Sequence, residues 1–142
     1  MNLQAINEFL IEQGYRPNLE DDGDISFKSE GKYYVVGSTE GDETYVRLIA
    51  PNIWSLDSET ERELAIQHAN KLTSQFKVAK VFSVNDDKNI YATIELFLPD
   101  PQAFIRVFDR SMNVLNAAVR EFSDEMRTAM EKVMEDTGAD EE

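Results

Sequence analysis

A stretch without glycine or proline runs from Gln102 to Thr137, and its apolar residues recur at helical spacing. No other feature constrains the fold as much. The approach, Leu98-Pro99-Asp100-Pro101, suits a helix start. The Asp100 carboxylate can accept from the free N–H groups of the first turn. Pro101 fits the first helical position, where a missing N–H is no loss, and it holds Asp100 out of the α region. A helix running to residue 134 would have about 34 residues and a length of roughly 50 Å.

Two lines of the stretch keep a seven-residue repeat: Ile105, Met112, Val119, Met126, Val133, and Phe108, Leu115, Phe122, Ala129. Asp109, Ser111, Asn116, Ala118 and Ser123 beside them offer few of the charge pairs of a coiled coil. The pattern therefore reads first as a core helix on a sheet, and second as a dimer or helix-exchange seam. A globule of this length has a diameter of roughly 37 Å. The helix must break, project or be covered by a second chain. Its last turns hold Met126, Met130 and Met134 with Ala129 and Val133. Methionine suits adaptable apolar contacts. Met126, Met130, Val133 and Met134 are the first candidate protein-interface residues, against the plainer reading of ordinary core or a frayed end.

The chain has 142 residues and a formal net charge of −14. One domain is the natural count. Such acidity repels phosphate backbones, so nucleic acid is disfavoured as a partner. There is no cysteine, which removes disulfides, thiolate metal sites and cysteine nucleophiles and fits a reducing, cytoplasmic setting. The N-terminus lacks the basic-then-apolar pattern of a leader, and no apolar run reaches membrane length. No membrane association is expected.

Residues 2–13 read as a short helix, with Leu3, Ile6 and Leu10 on one face and Gly14 to end it. Residues 18–24 imitate half of a calcium loop, but Ser29 stands where its final glutamate belongs, so a solvated turn is expected. Strands follow around Ile25–Phe27, Tyr33–Val36 and Tyr45–Ala50, with Pro51 ending the run. Ile53, Trp54 and Leu56 form an apolar knot that plugs a sheet edge or pins a helix start or, alternatively, makes Trp54 a partner anchor. Ser58 with Glu61 suggests a capping box opening a helix over 59–75. His68 on that helix is the only histidine, which leaves no partners for a usual zinc site or a histidine-based triad. Strands at 77–84 and 90–98 follow. In the second, Ile90, Ala92, Ile94, Leu96 and Leu98 take one face and Tyr91, Thr93, Glu95 and Phe97 the other. Residues 136–142 read as a short acidic tail. The order α-β-β-β-α-β-β-α implies an α+β fold: an antiparallel sheet with helices packed on it and a long C-terminal helix.

Ala69-Asn70-Lys71-Leu72-Thr73 followed by Lys77-Val78-Ala79-Lys80-Val81-Phe82 resembles the bacterial YbjN-like family of sensory-transduction regulators. Asp22-Gly23-Asp24-Ile25-Ser26-Phe27 and Glu30-Gly31 resemble that family's first hairpin. The resemblance covers residues 3–122. It implies a single type III secretion chaperone-like domain over 1–135, in a group whose members are often dimers that bind unfolded client segments. It implies no catalytic residue and no cofactor.

The sequence contains no GxSxG, P-loop, dinucleotide fingerprint or metal-ligand cluster. The expected function is non-enzymatic: a chaperone-like or regulatory module acting through a homodimer or a client protein. A structural subunit of a larger assembly, or an enzyme using paired carboxylates, are the alternatives.

Overall fold

The computed structural model describes residues 1–140. The elements are α1 (Gln4–Glu12), β1 (Asn18–Leu19), β2 (Ile25–Ser29), β3 (Lys32–Gly37), β4 (Tyr45–Ser55), α2 (Glu59–Gln75), β5 (Ala79–Val84), β6 (Asn89–Phe97) and α3 (Pro101–Asp140). The strands form one antiparallel sheet in the order β1-β2-β3-β4-β6-β5. The expected α+β architecture is present, with helices packed on the sheet. The two-residue β1 is the one strand that sequence reasoning did not anticipate.

Local chemistry sets the helix ends. Gly14 takes φ +94°, and its N–H and that of Tyr15 donate to Ile11 and Leu10 carbonyls, closing α1 in a Schellman pattern. Ser58 Oγ accepts from Glu61 N–H at 3.1 Å at the start of α2. Only half of the capping box forms, because the Glu61 carboxylate accepts from the Trp54 indole at 3.0 Å instead. Asp100 Oδ1 accepts from Ala103 N–H at 2.8 Å, as its place before Pro101 suggests.

The 40-residue α3 is continuous and about 60 Å long. Its buried stripe runs Phe104, Phe108, Met112, Leu115, Ala118, Val119, Phe122, Met126, with Ala103 and Ser111 beside it. Both seven-residue lines are buried between Phe108 and Met126, and the stripe drifts off them toward the helix ends, as the 3.6-residue period of a straight helix requires. Phe104 therefore takes the core position at the N-terminal end, where the repeat had placed Ile105. The helix also continues through 136–140, part of the stretch read as a tail, because adding residues to an existing helix costs little and one glycine costs about 1 kcal/mol. Residues 141–142 lie outside the described residues.

Alternation along the strands sends Ile25, Phe27, Tyr34, Val36, Leu48, Ala50, Val81, Ile90, Ala92 and Ile94 into the core beneath α3. α1 joins this layer through Phe9, whose ring meets Phe108 edge-on at 5.4 Å. α2 lies along the outer edge of β5, where Thr73 Oγ1 bonds both the N–H and the carbonyl of Val81. His68 Nδ1 and Lys71 Nζ meet Glu125 Oε1 at 3.0 and 2.6 Å, tying α2 to α3.

β4 does not stop at Pro51. It continues to Ser55, with a register shift between Ala50 and Trp54 opposite β6. Its pairing with β3 ends at Val35↔Ile49, so the missing N–H of Pro51 faces a gap rather than a ladder. Asn52, at φ +50°, turns the strand away. β3 and β4 part there, leaving a cleft of about 590 Å³ lined by Tyr33, Tyr34, Val35, Pro51, Ile53 and Val119 among others.

Candidate functional site

The residues singled out from sequence separate into two groups. Met126 is fully buried and belongs to the core. Met130 is half-buried against that core, and so is Trp54, whose ring meets Phe122 edge-on at 6.1 Å. Val133 is half-buried, and Met134 is 71% exposed on the projecting end of α3. The methionine line thus starts in the core and ends in solvent. Trp54 serves intramolecular packing.

Another available surface includes the outer face of β6 that the sequence assigns to Tyr91, Thr93, Glu95 and Phe97, none of which is among the candidate interface residues. The helices share one side of the sheet, so its other face has no helix over it. Ser26, Lys28, Tyr33, Val35, Tyr45, Arg47, Ile49, Lys80, Phe82, Tyr91, Thr93, Glu95 and Phe97 alternate with the core positions and point to this face. Phe97 is 81% exposed and Tyr33 56% exposed. Between them Thr93 is only 1% exposed, covered by its neighbours' side chains. Tyr33 and Val35 also line the cleft, which continues this face.

Charged groups cross the centre of the face. Arg47 on β4 stands opposite Glu95 on β6. Glu95 Oε1 accepts from Tyr45 OH at 2.5 Å, and Oε2 accepts from Thr93 OH at 2.8 Å and meets Lys80 Nζ at 3.1 Å. Burial works against ionisation of Glu95, but hydrogen bonds from Tyr45, Thr93 and Lys80 outweigh it and hold the carboxyl below its usual range. Burial and the bond to Glu95 push the Tyr45 phenol up to about 12. On the far side of Arg47, a Cβ on Gly37 would sit 3.2 Å from Asp24 Oδ2 and 3.3 Å from Arg47 Nε. The absent side chain lets the Asp24 carboxylate lie over β3, next to Arg47. Burial and then Asp22 raise the Asp24 pKa, with Arg47 opposing them. Arg47 Nε is buried without a hydrogen-bond partner among the described residues.

Among the described residues no group of three or more His, Asp or Glu could hold a metal ion, and no helix is long and apolar enough to cross a membrane. The loop around Gly23 is the expected turn: Gly23 N–H donates to the Glu20 carbonyl and Asp24 N–H to Asp22 Oδ1.

No protein-family model matches the chain, and a search of curated proteins finds no match. Among solved structures it is similar to an uncharacterized protein from Methanothermobacter thermautotrophicus. The two share 14% identity and superpose with a TM-score of 0.58 over 93% of this chain and 99% of the other. That similarity is one of fold.

Proposed function

We propose that this chain is a non-enzymatic, cytoplasmic protein-interaction module, and that it docks through the sheet face opposite α3. The observation that carries this reading is the uncovered face itself. It presents Phe97 and Tyr33 to solvent, beside tightly surrounded Thr93 and Ile49. Exposed aromatic side chains set among charged ones are characteristic of protein interaction sites. Chaperone-like or regulatory work, in the manner of the YbjN-like proteins the sequence resembles, would use such a face for self-association and for client segments. The acidic remainder of the chain would keep such complexes dissolved.

A photo-cross-linking residue placed at Phe97, and another at exposed Glu131 on α3, test the reading in the full-length protein. Cross-links from position 97 to a defined protein, lost when Tyr33 is changed to Glu, are expected. Equal, unsaturable labelling from both positions would sink it. The projecting end of α3, with Met134 exposed, is a second surface on the same molecule. Its use would appear as specific cross-links from position 131 alone.

A further inference from the structure

The charges on the bare face are ordered. Across four adjacent strands they read negative, positive, negative, positive: the Asp24 carboxylate over β3, Arg47 on β4, Glu95 on β6 and Lys80 on β5. Gly37 creates this order, because only a missing side chain lets Asp24 occupy the β3 position. Arg47 and Glu95 share one register position on β4 and β6, whereas Lys80 pairs with Thr93 and reaches Glu95 diagonally, its Nζ 3.1 Å from Oε2. A two-fold axis parallel to the strands, placed between β4 and β6 and midway between two facing sheets, reverses the row. Reversal turns each sign into its opposite. Arg47 then faces Glu95 of the partner subunit, and Asp24 lies on the same side as the partner subunit's Lys80, two residues away along the strand. A row of four equal charges, or one symmetric about its centre, would put like charges together instead.

We infer that the occupant of this face is a second copy of the same chain, packed sheet to sheet about that two-fold axis, with Arg47–Glu95 pairs at its centre. The inference rests on the face being a docking surface and goes further by naming what docks there. An isologous contact needs a patch complementary to itself, which this row provides. The chain carries a net charge of −14, which opposes self-association through most of its surface. On this face Lys28, Arg47 and Lys80 stand with Glu95, Asp24 and Glu20 (which accepts from Ser26 Oγ), and Asp22 is near Asp24, so the face is close to charge balance while the chain as a whole is strongly acidic. Glu95 has one acceptor site left: of about four on a carboxylate, Tyr45, Thr93 and Lys80 use three. Arg47 brings five donors. Phe97, Tyr91, Val35 and Tyr33 would supply the apolar contact around the row, and the charges would fix its register.

The test uses the full chain and light scattering behind size exclusion. Wild type is expected at twice the 16.2 kDa chain mass. Arg47→Glu and Glu95→Arg should each weaken the dimer at least tenfold, since each puts two like charges opposite one another. Mixing the two variants should restore a dimer, because every facing pair is then opposite in sign. The Arg47→Glu/Glu95→Arg double variant should restore it as well. The mixture decides the matter, since damage confined within one subunit is not repaired by adding another damaged subunit. Should either variant fail to fold, Asp24→Lys and Lys80→Glu give a second, diagonal charge pair for the same mixing test. A monomeric wild type, or variants that stay monomeric when mixed, would overturn the inference. In that event, specific cross-links from position 97 to a different protein would leave the docking face standing with another occupant.

Discussion

Met126 and Met134 lie two helical turns apart and meet opposite surroundings: the first is fully buried and the second 71% exposed. Met126→Asp forces an unpaired carboxylate into the core, where it must remain protonated or take the structure apart. The cooperative urea transition is expected to be lost. Met134→Asp should leave the midpoint within about 0.5 kcal/mol of wild type. A destabilisation by Met134→Asp as large as that by Met126→Asp would mean that the last turns are covered. The sequence shows that these methionines share one helical face. It cannot show where the core beneath that face ends, because that boundary depends on how far the sheet and α2 extend. Arg47 and Glu95 were hidden for a related reason. Alternation assigns Glu95 to the face away from Ile94, but the pairing of β4 with β6, which sets it opposite Arg47, joins strands separated by a helix and another strand.

At the level of elements, helices and strands with strong periodicity and clear caps were legible, and the sheet's internal breaks were not. α2 occupies Glu59–Gln75 and β6 Asn89–Phe97, close to their expected ranges. Pro51 is misleading because proline breaks a strand only where its N–H would have had a partner, and the pairing of β4 with β3 has already ended at Ile49. For α3 the consequence is graded. Truncation after Met134 removes exposed Glu135, Asp136 and Thr137 with the residues that follow them, and should leave thermal unfolding unchanged. Truncation after Ser123 removes Met126 and the Glu125 links to His68 and Lys71, and it should abolish the cooperative transition. A Ser123 truncation that melts like wild type would show that the helix beyond Phe122 does not hold the fold.

The whole molecule should lose stability at both ends of the pH range. Glu95 and Glu125 have folded pKa values below the ordinary 4.5. Their contribution is complete above the unfolded value and disappears as the pH falls through the lowered folded ones. Asp24 has the opposite sign: its raised pKa favours the protonated form, and that contribution is lost as the pH rises above 3.8. Tyr45, shifted from 10.0 to about 12, supports the fold fully below pH 10 and progressively less toward pH 12. Tyr45→Phe should flatten the alkaline limb of chemical denaturation midpoint against pH, and Glu95→Gln should reduce the acid limb; unchanged limbs would contradict these assignments. The order of elements bears also on how the chain is made. All six strands precede α3, the helix that closes the core. At roughly 5–20 residues per second, the ribosome needs about 2–8 s to make the 40 residues of α3. During that interval Phe27, Leu48 and Ile94 lack the cover of α3, so the nascent sheet is the form of this protein most prone to aggregation and most in need of a chaperone.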